Sequence, residues 1–355
     1  MSLKKIWDKN GFISGFNDEN GDYIRTGILD VNGNDTGMDP FFAEFPHLLD
    51  IGIMGHCIHG LSGKCQESGV ECYQNGAFYS EPNMKFEDYK MIMKQCEGRT
   101  YQIALGGRGD AEMHESFEDI LACTRFYGMV PNMTTSGYGL TKKHAEIIKK
   151  YCGAAAVSWY RTSYMWDAIN LLLNEGVTTN IHFVLGKNNI EEAIDILSEN
   201  KIPEGISRMI FLLHKPVGMG STERILFEKD PRAKKFFSLI EKNNLTEKIG
   251  FDSCLVPGII ANCQEILPES YDSCESARFS AYIGADMLMS PCSFDKSGNT
   301  LESLKKYTIE EIWNGEKFSA FRNDFTKRCQ GCPSRNDCLG GCPLYPEIRL
   351  CGNVC

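Results

Sequence analysis

Hydrophobic positions along this chain fall into two alternating periods. Short apolar runs begin at Leu48 (LLDIGIM), Tyr101 (YQIAL), Met129 (MVPNMTT), Ala154 (AAAVSWY), Thr179 (TNIHFVL) and Ser207 (SRMIFLL). Runs of this kind, bounded by turn residues, read as buried strands. After a first interval of 53 residues they recur every 25 to 28. Between them, apolar residues return at helical spacing over Phe86–Cys96, Ser116–Tyr127, Trp166–Asn174 and Glu191–Glu199. The clearest helix follows Thr141, a ready N-cap, with Ala145, Ile148 and Cys152 on one face and Gly153 as a stop. Six strand–helix units in succession predict a parallel sheet with helices outside, either doubly wound or an open barrel.

In both architectures chemistry gathers in the loops at the carboxyl ends of the strands. The unusual residues of the sequence fall there: a cysteine loop after the first strand, GGRGD after the second and HKPVGMG after the sixth. Pro216 and Gly218 in the last of these predict a turn beside a ligand pocket. The regularity stops near residue 226. A helix over Asp230–Asn243 leads into a tail, residues 254–355, that holds ten of the sixteen cysteines. Residues 1–45, rich in Gly, Asn and Asp, predict an extension of hairpins or loops. The expected divisions are therefore 1–45, 46–225, 226–253 and 254–355.

With 355 residues, 42% hydrophobic and 24% charged, the chain has the composition of a globular protein of about two packed units. Its net charge of −10, from 37 basic and 47 acidic residues, provides no footprint for nucleic acid or an anionic membrane surface. Residues 1–10 contain no apolar core of a signal peptide, and no stretch approaches the roughly 18 apolar residues of a membrane helix. A cytoplasmic location is expected, and in a reducing compartment clustered thiols are metal ligands or redox groups more often than disulfides.

The first cysteine group, GHCIHGLSGKCQESGVECYQ, offers Cys57, Cys65 and Cys72. Three thiolates can hold a 4Fe-4S cluster with one iron open, whereas a closed zinc site needs four ligands and would recruit His56 or His59. The second group, RCQGCPSRNDCLGGC, places Cys329, Cys332, Cys338 and Cys342 in the spacing C-x2-C-x5-C-x3-C, followed by Cys351 and Cys355 and preceded by Cys254, Cys263, Cys274 and Cys292. Such short intervals let one loop wrap one metal centre: two four-ligand clusters, or one or two structural zinc knuckles. Cys96, Cys123 and Cys152 lie on predicted helices and are read as buried small residues.

Over residues 46–355 these motifs resemble the radical S-adenosylmethionine (SAM) enzymes that carry a SPASM domain. The strongest part is Cys274, then YIGADMLMSPC ending at Cys292, then EEIWNGEKFSAFR, then the four-cysteine run. The resemblance implies an α/β fold, a partial (β/α)6 TIM-like barrel with a C-terminal Cys-rich auxiliary-cluster domain. It implies SAM and three 4Fe-4S clusters, one binding SAM and two auxiliary. Cys57, Cys65 and Cys72 would hold the first, with the Gly106–Gly107 loop bonding the SAM amino group. Cys329, Cys332 and Cys338, with Cys351 or Cys355, would hold the outer auxiliary cluster. Cys274, Cys292 and Cys342, with Cys254 in preference to Cys263, would hold the inner one.

The implied reaction is reductive cleavage of SAM to a 5'-deoxyadenosyl radical and hydrogen abstraction from a substrate. That substrate is expected to be a peptide undergoing oxidation, cross-linking or epimerisation, or a protein such as a sulfatase. The implied electron source is a partner such as flavodoxin or ferredoxin. A non-enzymatic zinc-stabilised scaffold is the reading from another class.

The chain departs from the family at three places. The first motif is C-x7-C-x6-C, not C-x3-C-x2-C, with Glu71 where an aromatic is usual and Tyr73 after the last cysteine. Arg108 stands third in the Gly-Gly loop, leaving Gly109 and Asp110 as a shifted continuation. Met287 stands where a glycine is expected before Cys292. Ser158 and Arg161, at the end of the fourth strand, and His182, which alternates onto one face with Asn180 and Val184, complete the expected cofactor-binding set. No residue is assigned as catalytic acid or base.

Overall fold

A computed structural model of the chain describes residues 3–19, 21–242, 247–267 and 270–352. Strands β1 (Leu3–Asp8), β2 (Phe12–Asn17) and β3 (Tyr23–Arg25) form an antiparallel sheet at the amino end, in keeping with the hairpins expected there.

The repeating units follow as β4 (Leu48–Ile51), the short helices α1 (Ile58–Leu61) and α2 (Lys64–Glu67), α3 (Phe86–Cys96), β5 (Gln102–Leu105), α4 (Phe117–Phe126), β6 (Val130–Thr135) and α5 (Lys142–Tyr151). They continue as β7 (Ala155–Ser158), α6 (Ser163–Asn174), β8 (Thr179–Leu185), α7 (Ile190–Ser198), β9 (Met209–Leu213) and α8 (Pro231–Lys242). Each expected strand and helix is present; Asn243, the predicted end of α8, lies outside the described residues. Thr141 caps α5 as its sequence suggests, accepting from the His144 N–H while the His144 ring accepts from the Thr141 N–H, both at 3.3 Å.

Beyond residue 226 the sheet goes on where the sequence pattern does not. Strand β10 (Ile249–Phe251) joins β9 in parallel, and after α9 (Val256–Asn262) strand β11 (Ser280–Ile283) pairs in parallel with β4, far back in the chain. Strands β12 (Leu288–Ser290) and β13 (Glu302–Ser303) add an antiparallel edge. The order is β10-β9-β8-β7-β6-β5-β4-β11-β12-β13. Helices α10 (Ile309–Trp313), α11 (Glu316–Lys327) and α12 (Arg335–Cys338) complete the tail. These strands are too short, or too distant from their partners, to leave a local period. Among the described residues no helix is long and apolar enough to cross a membrane.

Strand alternation gives the sheet two unlike faces. Leu49, Ile51, Ile103, Leu105, Val157, Phe183 and Phe211 are buried with the helices in one core. The opposite positions, Asp50, Asn132, Thr134, Ser158 and His182, are half-buried and polar, so the concave face of the partial barrel is lined by polar side chains.

The tail is bound to this frame by buried contacts as well as by β11. Trp313 is fully buried and its indole N–H donates to the Ala43 carbonyl at 2.9 Å. Replacing it removes a large core side chain and leaves that carbonyl unpaired. Trp313→Ala is expected to cost about 3–5 kcal/mol of stability, read from the urea midpoint; a loss below about 1 kcal/mol would contradict this packing.

Candidate functional site

The first cysteine loop leaves β4 and folds into α1 and α2. Cys57 caps α1, its Sγ accepting from the Gly60 N–H at 3.1 Å, and Cys72 Sγ accepts from the Gly76 N–H at 3.4 Å. A Cβ at Gly76 would stand 3.5 Å from Cys72 Sγ and 3.7 Å from Cys57 Sγ, so glycine lets the two thiols share that space. Burial, reinforced by the neighbouring thiols and Asp110, pushes Cys57 up to about 11 and Cys65 up to about 12.

His59, weighed in the sequence as a zinc ligand, serves the loop otherwise. Its buried ring stacks on Tyr138 and Tyr160, with centroids 5.1 and 5.8 Å away. Its Nδ1 lies 2.9 Å from Cys65 Sγ and its Nε2 2.8 Å from Tyr164 Oη. Burial holds it neutral, at about 4. A neutral imidazole has one donor and one acceptor nitrogen, so a Cys65 thiolate would fix Nδ1–H as donor and let Nε2 accept from Tyr164.

The glycine loop after β5 lies against this one. A Cβ at Gly109 would come within 2.5 Å of the His56 carbonyl and 3.4 Å of Cys57 Cα. Gly106 faces Asp50, and Gly107, at φ +91°, faces the Tyr282 hydroxyl of β11. Arg108 braces the loop by donating to the carbonyls of Gly55, at 2.9 Å, and Gln74, at 3.4 Å. Asp110 accepts from the Ser136 N–H at 2.7 Å and Oγ–H at 2.6 Å, and burial raises its pKa.

Two carboxyl groups were passed over in the sequence. Glu112 is buried, accepts from Thr135, has one oxygen without a partner and is pushed up to about 8 by burial and then by Asp110. Asp50 on the concave face is pushed up to about 7 by burial, against the pull of Ser293 and Lys296. Neither sits in a motif; period-two alternation was the one signal that could have turned Asp50 inward.

Ser158 and His182 are paired in register across β7 and β8. His182 is held near 4 by burial, with Nδ1 3.4 Å from Thr134 Oγ1. Arg161 stands apart. It is exposed, takes φ +61°, and binds Glu192 of α7 with Nε–Oε1 2.9 Å.

The tail cysteines fall into two neighbourhoods. Cys254 lies near Cys342, and Cys274 and Cys292 lie near Cys254. Cys263 is elsewhere, its Sγ 3.8 Å from the Phe237 carbonyl. Cys338 neighbours Cys332 and Cys351, and the turn at Gly340 brings its Cα beside Cys329, where a Cβ would stand 3.0 Å from Sγ. Cys355 lies outside the described residues. Among the described residues no three His, Cys, Asp or Glu side chains are close enough to chelate one metal ion. Of the remaining thiols, Cys96 and Cys123 are buried in α3 and α4, while Cys152 is a half-buried C-cap of α5.

Residues 274–333 match the SPASM family model, an iron-sulfur cluster-binding domain. The fold is similar to that of Streptococcus suis SuiB bound to S-adenosylmethionine, with TM-score 0.72 and 16% identity over 99% of each chain. SuiB bound to its precursor peptide SuiA gives 0.71 and 15%, again over 99% of each chain. Native anSMEcpe with bound AdoMet and Cp18Cys peptide gives 0.61 and 15% over 87% of this chain and 91% of that one. No curated protein matches the chain at a significant level. The architecture is thus a partial barrel similar to those of these SAM-bound structures, with an iron-sulfur cluster-binding domain matched at residues 274–333.

Gly107 tests how the tail bears on the glycine loop. Gly107→Ala imposes a left-handed backbone and drives a Cβ to 2.9 Å from Tyr282 Oη, with an expected cost of about 2–3 kcal/mol. Gly98→Ala, at φ +72° with nothing within 4 Å, costs about 1 kcal/mol from the backbone alone. Equal losses in thermal or urea unfolding would contradict the contact.

Proposed function

We propose that the protein is a radical SAM enzyme that modifies a peptide, with Cys57, Cys65 and Cys72 as ligands of a 4Fe-4S cluster that keeps one iron for SAM. The observation that supports this reading is that the cysteine loop after β4 lies against the Gly106–Asp110 loop, Gly109 packing on His56 and Cys57, at the carboxyl end of a sheet whose fold is similar to that of SAM-bound structures. The donor set suits such a cluster: three soft ligands, two of them already accepting from backbone N–H groups. Deprotonation, which burial opposes, is what cluster binding would reward.

The chemistry such a cluster and SAM would supply, when bound there, is hydrogen abstraction from the substrate, with the chain's residues holding and shielding the reacting groups. The Gly106 and Gly107 backbone with Asp110 would receive the SAM amino group, and Ser158 and His182 would line the cofactor's side of the concave face. The wall of the partial barrel would keep water from the reacting carbon. Cys254, Cys274, Cys292 and Cys342 would hold the inner auxiliary cluster, and Cys329, Cys332 and Cys338 with Cys351 or Cys355 the outer one. A peptide substrate is favoured because SuiB and anSMEcpe share the fold and have been captured with peptides. A flavodoxin- or ferredoxin-type protein would supply the electron.

Cys57→Ala is expected to stop 5'-deoxyadenosine formation from SAM and dithionite while leaving the circular dichroism unchanged and removing about four irons per chain. A variant that formed 5'-deoxyadenosine at the parental rate would overturn the assignment.

A further inference from the structure

The loop after β9 carries a buried cation that the proposed chemistry leaves unused. Lys215 is 7% exposed, and a buried ammonium persists only among groups that compensate its charge. Its Nζ donates to Asp252 Oδ2 at 2.8 Å and to the Leu213 carbonyl at 2.9 Å, and stands 4.4 Å above the Phe294 ring. Asp252 is two residues before Cys254, and Phe294 two after Cys292. The Cys254 and Cys342 thiols lie in the same field. The amine therefore sits where segments bearing the inner cysteines converge.

The same loop touches the first cysteine loop. Met219 N–H donates to the Cys72 carbonyl at 3.0 Å, Ser221 N–H donates to Glu71 at 2.8 Å, and a Cβ at Gly218 would meet the Tyr73 carbonyl at 2.4 Å. It is the strap that joins the two thiol sites, and it delivers a positive charge to one of them.

We propose that Lys215 sets the reduction potential of the inner auxiliary cluster, stabilising its reduced form, with Asp252 as the opposing charge. The inference rests on the assignment of Cys254, Cys274, Cys292 and Cys342 to one cluster. Reduction adds one negative charge to a buried cluster, and a fixed cation in a low-dielectric site favours that state. A cluster so poised is a better electron acceptor.

The test is an EPR-monitored redox titration of the full chain, reconstituted without oxygen, with Cys57, Cys65 and Cys72 all replaced by alanine so that only auxiliary centres are read. Lys215→Met should lower the midpoint of one centre, the one lost in Cys292→Ala. The expected shift is a tenfold change in the ratio of oxidised to reduced cluster, about 59 mV for one electron. Asp252→Asn should move the same midpoint upward, and Lys215→Arg should leave it near the parent. A packing role alone would not give opposite signs. Unchanged midpoints at full iron content, or shifts in the same direction, would overturn the proposal. A parent protein with no auxiliary signal would overturn the cluster assignment beneath it.

Discussion

A strand at the edge of a sheet presents unpaired N–H and C=O groups, and β4 would be such an edge if the six strand–helix units stood alone. Ser280–Ile283 covers it, in the register Ser280 to Leu48 through Ile283 to Ile51, and the Gly52 N–H extends the ladder to the Ile283 carbonyl at 2.9 Å. Because β4 runs directly into the loop of Cys57 and β11 runs through β12 into Cys292, this pairing ties together the segments that carry the first and inner thiols. Arg278, buried just before β11, strengthens the join by donating to the carbonyls of Phe41, at 2.6 Å, and Cys274, at 3.1 Å.

On that frame the electrostatics are arranged at a cost. Cys57, Cys65, Cys274 and Cys292 all have raised pKa values, burial being the largest cause in each. Protonated, they would be ordinary buried thiols. Ligated, they would be thiolates whose charge is shared with iron, which is the state that repays their desolvation. The neutral His59 ring at Cys65 and the Lys215 ammonium near Cys254 and Cys342 are among the groups that face this charge, with Lys296 near Cys292 and Arg278 near Cys274. Across the concave face, Asp50 and Tyr282 place a tail residue beside the glycine loop.

Much of this arrangement was legible in the residues. The strands β4 to β9 are buried on one face and partly on the other, so they appear as apolar runs, and Thr141 announces its helix through a capping interaction that is local in sequence. Cysteine spacing was legible for the same reason: Cys329, Cys332 and Cys338 are neighbours along the chain. What depended on distant pairing was not. Nothing near Ser280 indicates that it will lie against Leu48, and His59 could not be seen between Tyr138 and Tyr160. Met287 is instructive in another way. It takes φ +67°, so the turn before Cys292 keeps the left-handed backbone that favours glycine although the residue is methionine. Arg161, expected at the mouth of the barrel, is exposed and bonded to Glu192.

The central claim is that the thiols of this chain are cluster ligands, and its composition after anaerobic reconstitution tests that most directly. Iron, acid-labile sulfide and zinc should be measured per chain on the same sample. About twelve iron and twelve sulfide, the sum for three 4Fe-4S clusters, is the predicted result. Stoichiometric zinc with no sulfide would contradict it and leave a zinc-stabilised scaffold in its place.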